Sequence, residues 1–277
     1  MKAIVQNSYG SPDVLELKEI EKPVIGDKDI LVNVQAAAVN AGDVFSMRGS
    51  PWLARFSVGF PKPKDYVLGW DMAGIVEAVG NAVISFKAGD EVYAVCDSAF
   101  AEYVSVAEDK LAMKPTNLTF AQAAAVPSGA VTALQGLRDI GNLQSGQKVL
   151  INGASGGVGT FSVQIAKALG AEVTGVCSSS NATLVESLGA DHVIDYNKED
   201  FTDSGHRYDC ILDNVENRNL SEVRRALKPS GTLICNSGTG ATGLTFWARL
   251  LKPLVLSPFT KQRLCRYLST PTRNDLE

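Results

Sequence analysis

The first part of the chain, residues 1 to about 115, carries short apolar runs separated by glycine and proline. Turn pairs such as Gly26-Asp27 and Gly89-Asp90 fall between the runs, which is typical of strands joined by tight turns. The pattern predicts a partly open β-barrel with low helix content. The predicted strands are residues 2–6, 30–39, 74–79, 91–96 and 101–106.

After Pro115 the pattern changes to strands that alternate with helices. Val158, Phe161 and Ile165 recur at helical spacing, and the helix that they predict ends before Gly170. The intervening apolar runs are continuous, as in strands buried on both faces, so we predict a doubly wound parallel sheet. The predicted strands are 148–152, 172–177, 193–196, 208–213 and 232–236, and the predicted helices are 158–169, 182–188 and 218–227.

The composition narrows the functional classes. The 277 residues carry a net charge of −4, whereas general nucleic-acid binders show a basic excess, so we expect no nucleic-acid partner. No run of 18 apolar residues occurs, so we expect no integral membrane segment. The polar start Met1–Gln6 is unlike a signal peptide. Five scattered cysteines indicate free thiols, and therefore a cytoplasmic location.

A glycine-rich segment carries the strongest functional signal. It follows a predicted strand and opens a predicted helix, where glycine allows a sharp turn and close approach of the backbone to a diphosphate. Exposed N–H groups and the helix dipole also favour that anion, so we predict a dinucleotide site. A plain tight turn is the alternative. The residues are Gly153, Ala154, Ser155, Gly156, Gly157, Val158 and Gly159.

The end of the second strand of this half indicates which dinucleotide binds. NAD sites place Asp or Glu there for the ribose 2′-hydroxyl, but here the nearest acidic residue, Glu172, lies at the strand's start. Small polar side chains leave room for a 2′-phosphate and can donate hydrogen bonds to it, so we predict NADP(H). No Arg or Lys is adjacent, and capping of the next helix is the alternative role. The residues assigned to this pocket are Ser178, Ser179 and Asn181.

Motifs along nearly the whole chain carry a family resemblance. They are Ala38-Val39-Asn40-x-x-Asp43, Gly69-Trp70-Asp71-Met72-Ala73-Gly74, Phe86-x-x-Gly89-Asp90, the glycine-rich segment, residues 164–171 and residues 188–196. In this order they resemble the medium-chain dehydrogenase/reductase superfamily, and most of all its zinc-independent quinone oxidoreductase-like branch. The resemblance implies a chaperonin-10-like catalytic domain over residues 1–115 and a Rossmann NADP-binding domain over residues 116–277, with the active site in the cleft between them.

The resemblance has further implications. It implies a homodimer, and it implies a last segment that returns to the catalytic domain. Since members of this family usually run well beyond 277 residues, we expect this returning segment to be absent from the chain. A looser catalytic domain should then leave NADPH binding near normal and turnover weak.

No zinc site is expected. Zinc alcohol dehydrogenases of the superfamily carry a Cys in the first motif and a His in the second, where this chain has Asn40-Ala41-Gly42-Asp43 and Leu68-Gly69-Trp70-Asp71. Catalytic zinc needs three protein ligands, usually nitrogen or sulfur. The barrel half offers only Cys96, since His192 and His206 both fall in the other half.

The chemistry expected without a metal favours particular substrates. A quinone or α,β-unsaturated carbonyl is then the better hydride acceptor, because delocalisation stabilises the developing negative charge. Asn40 and Asp43 are the candidate catalytic residues. The Asn40 amide can donate to a substrate carbonyl or orient the nicotinamide ribose, or Asn40 is a structural turn residue. Asp43 fits a role in fixing local structure better than one in proton transfer.

Further residues are assigned to the cofactor. By resemblance, Thr132 contacts the nicotinamide carboxamide and Tyr196 flanks the adenosine. Asn214, Ser237 and Gly238 follow the fourth and fifth strands, at the carboxyl ends where open α/β sheets bind ligands. The alternative for each is a structural role in a helix or loop.

Two apolar segments leave alternatives open. Trp52, Phe56 and Phe60 predict either an apolar lid over an aromatic acceptor or a loop held by its own aromatic rings. Residues 246–256 mix apolar and basic side chains. They predict either a membrane-surface patch or a helix followed by a strand, residues 254–258, that pairs across a dimer.

Together these features predict an NADPH-dependent reductase that transfers a hydride to a small-molecule quinone or enone. Two alternatives are an alcohol or aldehyde oxidoreductase and a catalytically idle NADPH-binding or sensor protein.

Overall fold

The structure is a computed structural model that describes residues 1–50, 52, 55–63, 66–236, 251–253 and 255–277. These residues form two compact units. The first comprises Met1–Ser128 and Pro271–Glu277, and the second comprises Gly129–Thr270. The compact units therefore divide the chain later than residue 115, and they add the C-terminal residues to the first unit.

The first unit is built on antiparallel strands. Its strands are β1 Lys2–Gln6, β2 Leu15–Glu19, β3 Asp29–Ala38, β4 Asp71–Val79, β5 Glu91–Val95, β6 Tyr103–Ala107 and β7 Leu111–Met113. β1 pairs with β2, and the other five form a sheet in the order β6-β3-β4-β5-β7. Side chains from β3, β4 and β5, among them Ile30, Met72 and Val92, are fully buried and form its core. The five predicted strands are confirmed, with ends that differ by up to three residues.

Short helices complete this unit. They are α1 Ala41–Arg48, α2 Arg55–Val58 and α3 Phe120–Ala124, with 3-10 turns at Pro12–Val14 and Glu108–Lys110 and a final helix at Arg273–Leu276. α3 buries Ala123 and Ala124 against Tyr93 of β5, so the unit extends beyond residue 115. The Tyr93 hydroxyl also donates to the Leu276 carbonyl at 2.6 Å. The C-terminal residues therefore pack on the first unit, which the sequence did not predict.

The second unit is a doubly wound parallel sheet, as predicted. Its strands are β8 Lys148–Asn152, β9 Glu172–Cys177, β10 His192–Asp195, β11 Tyr208–Asp213, β12 Leu227–Cys235 and β13 Arg263–Arg266. All are parallel in the order β10-β9-β8-β11-β12-β13, which is the strand order of dinucleotide-binding Rossmann sheets.

The helices of this sheet connect its strands. They are α4 Pro127–Leu134, which begins in the last residues of the first unit, α5 Gly157–Ala168, α6 Ala182–Ser187 and α7 Leu220–Arg225. A π-helix covers Gln135–Ile140, and 3-10 turns cover Ser179–Asn181 and Ser257–Phe259. The predicted helix at 218–227 is shorter than expected, because Asn219 and Glu222 form a capping box that starts α7 at Leu220.

The strand predicted at residues 254–258 is wrong for its described residues. Val255 and Leu256 are helical, and Pro258 lies in the first turn of the 3-10 helix that follows. Proline is favoured there because its missing N–H has no partner to lose in a first helical turn. Of the segment 246–256, residues 246–250 and 254 lie outside the described residues.

The cysteines are free thiols, as predicted, and four of the five are buried. Burial raises the pKa of the Cys210 thiol to about 12, so this thiol stays protonated and unreactive. Within the described ranges, no helix is long and apolar enough to cross a membrane.

Candidate functional site

The glycine-rich turn lies between β8 and α5. Gly153 has a φ of +79°, a left-handed conformation that glycine adopts without strain. The N–H groups of Gly153 and Ala154 both donate to the Val176 carbonyl of β9, at 3.1 and 3.0 Å. The turn is therefore tied to the neighbouring strand as well as to its own.

Three glycines of this turn meet different surroundings. A Cβ on Gly159 would lie 2.0 Å from the Gly153 carbonyl oxygen, so the first turn of α5 can pack on the end of β8 only without a side chain there. A Cβ on Gly156 would lie 3.3 Å from the same oxygen, a tight but adjustable contact. A Cβ on Gly157 would meet no described atom within 4 Å, so that side of the turn is open.

This turn fits the diphosphate of a dinucleotide. Helix α5 begins at Gly157, and Gly156 at the N-cap position has no side chain to bond its first amides. Such uncapped N–H groups at the positive end of a helix bind anions. Asn214 lies next to Gly153, and its buried Nδ2 finds no acceptor among the described residues. Its Oδ1 accepts from Asn236. Asn214 therefore has a donor left for a ligand.

The polar residues after β9 form a network rather than a helix cap. Asn181 Nδ2 donates to Ser155 of the glycine-rich turn at 3.2 Å and to Ser178 at 3.3 Å. The Ser179 hydroxyl donates to Asp195 Oδ2 at 2.5 Å. Neither Ser178 nor Asn181 makes a side-chain cap bond to the helix that it precedes. The network thus joins the predicted 2′-phosphate residues to the predicted diphosphate turn.

The remaining predicted cofactor residues differ in exposure and in the hydrogen bonds that they already make. Tyr196 directly follows β10 and is half exposed. Thr132 lies in α4, where its hydroxyl donates to Ser269 Oγ at 3.0 Å and its carbonyl accepts from the Tyr267 hydroxyl. The Thr132 hydroxyl is thus already engaged within the protein. Ser237 and Gly238 lie outside the described residues.

Asn40 and Asp43 lie together in the first unit, at the start of α1. Asp43 Oδ2 accepts from the Asn40 backbone N–H at 2.7 Å, a helix-capping contact. The Asn40 Nδ2 donates to Asp71 Oδ2 at 3.1 Å. Asp71 is fully buried and also accepts from Ser128, whose hydroxyl lies 2.6 Å from Oδ1. This carboxylate therefore fixes which way the Asn40 amide points.

The sequence did not single out Asp71 and Ser128 as functional residues. The one available signal was an acidic residue at the start of the apolar run of β4. Burial raises the pKa of the Asp71 carboxyl to about 6, although hydrogen bonds from Ser128 and Asn40 oppose the rise. Burial also raises the pKa of Asp43, and the negative charge of Asp43 adds to the rise at Asp71.

The aromatic residues of the first unit contact one another. Trp52 lies edge-on to Phe56, with ring centroids 5.5 Å apart, and Phe56 stacks on Phe60 at 5.5 Å. All three side chains are nevertheless more than half exposed. The rings therefore hold one another, as the anchored-loop alternative requires. They also present an apolar surface, as the lid alternative requires.

Metal-binding side chains do not cluster in the described part of the chain. No group of three or more His, Cys, Asp or Glu there is placed to hold a metal ion. His192 and His206 are both exposed.

Comparison with known proteins gives the family. The model of the alcohol dehydrogenase GroES-like domain matches residues 26–135, and that of the zinc-binding dehydrogenase matches residues 157–259. The pig (Sus scrofa) quinone oxidoreductase is 34% identical over 87% of this chain and 74% of its own. The NADPH-dependent alkenal/one oxidoreductase of Arabidopsis thaliana is 37% identical over 86% of this chain and 63% of its own.

Solved structures agree with these relatives. The Escherichia coli quinone oxidoreductase, solved in complex with NADPH, superposes with a TM-score of 0.82. It is 26% identical, with 100% of this chain and 84% of that chain covered. The fold is thus that of a GroES-like domain followed by a Rossmann domain. The chain belongs to the medium-chain dehydrogenase/reductase superfamily, in its quinone oxidoreductase-like branch. It spans 59–63% of the length of several curated relatives that it matches.

Gly156→Val should abolish cofactor binding while the protein stays folded. A branched side chain at this position would stand between the first amides of α5 and the diphosphate, whereas the fold itself needs to adjust only slightly. Calorimetric titration with NADPH measures the effect, and a thermal unfolding curve reports the fold. Lys148→Ala, an exposed side chain at the opposite, amino end of β8, is the control, and binding should persist. Retained NADPH binding in Gly156→Val would show that the diphosphate lies elsewhere.

Ionisation of Asp71 should make the protein less stable as pH rises. Because its pKa is raised from 3.8 to about 6 in the folded state, its contribution to stability is full below pH 3.8 and is lost as pH rises through 6. The loss is about 3 kcal/mol, at 1.36 kcal/mol per pKa unit. The variant Asp71→Asn resembles the protonated form. Its free energy of unfolding should therefore rise relative to that of the native protein as pH increases from 4 to 7.5.

Urea unfolding of both proteins across this pH range tests whether ionisation of Asp71 lowers the stability. The difference in unfolding free energy between the two proteins should change in favour of Asp71→Asn as pH rises. A difference that does not vary with pH would contradict the raised pKa.

Proposed function

We propose that this protein is an NADPH-dependent reductase that acts without zinc on α,β-unsaturated carbonyl compounds or quinones. The observation that carries the proposal is the glycine-rich turn, open at Gly157 and uncapped at the start of α5. The names of the relatives, alkenal/one oxidoreductase and quinone oxidoreductase, support the same class of substrate.

The second unit would hold the cofactor along the carboxyl edge of its sheet. The first amides of α5 would bind the diphosphate, Ser178 and Asn181 would line the adenosine ribose, and Tyr196 would flank the adenine. Asn214 would donate its free amide N–H to the ligand. Bound NADPH supplies a hydride, and the residues of this chain position it and exclude water.

Asn40 would stabilise the charge that develops on the substrate. When hydride adds to the β-carbon of an enone, the electron pair of the C=C bond shifts and the carbonyl oxygen gains negative charge; a proton from solvent then completes the reduction. The second N–H of the Asn40 amide can donate to that oxygen, because the first is held by Asp71. Asp43 and Asp71 would act as positioning residues that fix Asn40.

The absence of zinc from the mechanism follows from residue types. Position 40 has Asn and position 70 has Trp, where zinc-dependent members of the superfamily place Cys and His. Neither an amide nor an indole supplies the thiolate or imidazole that catalytic zinc requires. A conjugated acceptor does not need a Lewis acid, since conjugation spreads the charge.

Asn40→Ala should lower turnover of an enone much more than it lowers NADPH affinity. Loss of one oxyanion donor costs about 100-fold in kcat in other enzymes. The assay follows NADPH absorbance at 340 nm with a panel of enones, quinones and simple aldehydes. Asn81→Ala, an exposed asparagine of the same unit, is the matched control and should keep full activity.

Two results of this assay would contradict the proposal. Turnover of simple aldehydes alone would identify an aldehyde reductase. NADPH binding without turnover of any acceptor would identify a cofactor-binding protein without catalysis.

The purified protein should contain no stoichiometric zinc, and its activity should persist in a chelator. Elemental analysis checks the first point, and the 340 nm assay with and without EDTA checks the second. One tightly bound zinc per chain, with activity lost on its removal, would overturn the metal-free mechanism.

A further inference from the structure

The end of β10 lies beside the end of β9, where the ribose pocket is proposed. In the parallel register Asp195 pairs with Cys177, so residues 178–181 and 196–198 leave the sheet side by side. The Tyr196 N–H donates to the Cys177 carbonyl at 3.1 Å, which ties the two exits together. Any group that the second exit carries is therefore close to the serines of the first.

Asp195 organises this corner. Its carboxylate accepts the Ser179 hydroxyl at 2.5 Å and the Asn197 backbone N–H at 3.1 Å. These hydrogen bonds, that from Ser179 first, lower the pKa of Asp195 to about 2, so it is ionised at neutral pH. The Ser179 proton is consequently committed to Asp195 and is not available to a phosphate.

The other hydroxyl groups of the corner offer little more. Ser178 and Ser180 bond each other at 2.9 Å, so one of their two protons is used between them. Asn181 directs its amide to Ser155 and Ser178. Hydroxyl donors alone would thus supply a 2′-phosphate with few hydrogen bonds and no positive charge.

Lys198 brings a positive charge to the same corner. The Lys198 N–H bonds the Asp195 carbonyl at 2.9 Å in a tight turn, and its Nζ lies 3.4 Å from Asp195 Oδ2. The Lys198 side chain is 75% exposed. Although the Asp195 side chain is only 13% exposed, the ammonium group itself lies in solvent and 3.4 Å from the carboxylate, so it can turn to a more highly charged partner at small cost. A phosphate monoester is such a partner.

We propose that Lys198 is the residue that selects NADPH over NADH, by pairing with the 2′-phosphate of the adenosine ribose. Asp195 holds Ser179 and the base of the Lys198 turn in place, and so presents the ammonium group beside the pocket. The inference rests on the proposed cofactor site. No Arg or Lys is adjacent to Ser178–Asn181 in the sequence. Lys198 supplies the missing positive charge from the end of β10, the strand that pairs with β9.

The opposite assignment has a distinct signature. If Asp195 itself accepted a ribose 2′-hydroxyl, as acidic residues do in NAD sites, the protein would prefer NADH. The contacts that Asp195 already makes argue against this: Oδ1 accepts from both the backbone N–H and the side-chain amide of Asn197, and Oδ2 accepts from Ser179 and lies 3.4 Å from Lys198 Nζ.

Calorimetric titration of the full chain tests the proposal without any need for activity. The ligands are NADPH, NADH, adenosine 2′,5′-bisphosphate and 5′-AMP, and the variants are Lys198→Ala and Lys198→Arg. Lys198→Ala should weaken binding of NADPH and the bisphosphate by about tenfold, as expected for loss of one charged hydrogen bond, and leave NADH and AMP nearly unchanged. Lys198→Arg should retain the preference.

Lys148→Ala is the matched control. Lys148 is also an exposed lysine in an ion pair, with Glu172, but it lies at the amino end of β8, on the opposite edge of the same sheet. Its loss should leave all four affinities unchanged. The salt dependence of NADPH binding should also fall in Lys198→Ala and not in the control.

The outcomes separate this inference from the proposed function. If the native protein prefers NADPH and Lys198→Ala keeps that preference, Lys198 is not the selecting residue and the cofactor site stands. An equal loss for NADPH and NADH would make Lys198 a structural residue and overturn the inference. A native protein that prefers NADH would refute the selection. Failure to bind any of the four ligands would overturn the cofactor site as well.

Discussion

The second unit depends on the close approach of two backbone segments. The carbonyl of Gly153 at the end of β8 lies so near Gly159 of α5 that a single methyl group would fall 2.0 Å from its oxygen. This approach sets the start of α5 directly at the edge of the sheet, with its first amides free of any side-chain cap. Ser155 of the same turn accepts from Asn181 Nδ2 at 3.2 Å, which connects the turn to the network after β9.

In the first unit, the buried carboxylate of Asp71 is the group that fixes its neighbours. Asp71 has no exposed surface, and a buried carboxylate is costly unless hydrogen bonds compensate it. Its partners are the Asn40 amide and the backbone and hydroxyl of Ser128, so the groups that offset this cost are fixed in return. A residue that donates to a reacting oxygen needs such fixing, since its direction matters more than its presence.

Periodicity and glycine placement predicted most of the fold. The strands β1, β8, β9 and β11 have the predicted bounds, because continuous apolar runs between turn residues leave little choice. The helix α1 was not predicted, since its eight residues bury only Asp43 and Met47 and carry no clear apolar face. For the described residues 255–258, the predicted strand was wrong because apolar residues alone do not distinguish a strand from a short helix.

Features of the candidate site that lie in one continuous segment were predictable from the sequence. Contacts between residues that are distant in the sequence were not. The glycine-rich turn is a continuous segment, so its spacing was sufficient to predict a tight turn between a strand and a helix. Asp71 and Ser128 lie 57 positions apart, and Ser179 and Asp195 meet only through the register of β9 and β10. Such partners emerge from tertiary structure, which is why Lys198, which lies beside Asp195, was not found from the residues adjacent to Ser178–Asn181.

Amide hydrogen exchange, measured with and without NADPH, shows whether the start of α5 binds the diphosphate. If the uncapped start of α5 holds the diphosphate, the amides of residues 156–160 should exchange more slowly with NADPH bound, together with those of 178–181. Unchanged exchange at residues 156–160 under saturating NADPH, with protection confined to other segments, would contradict the account.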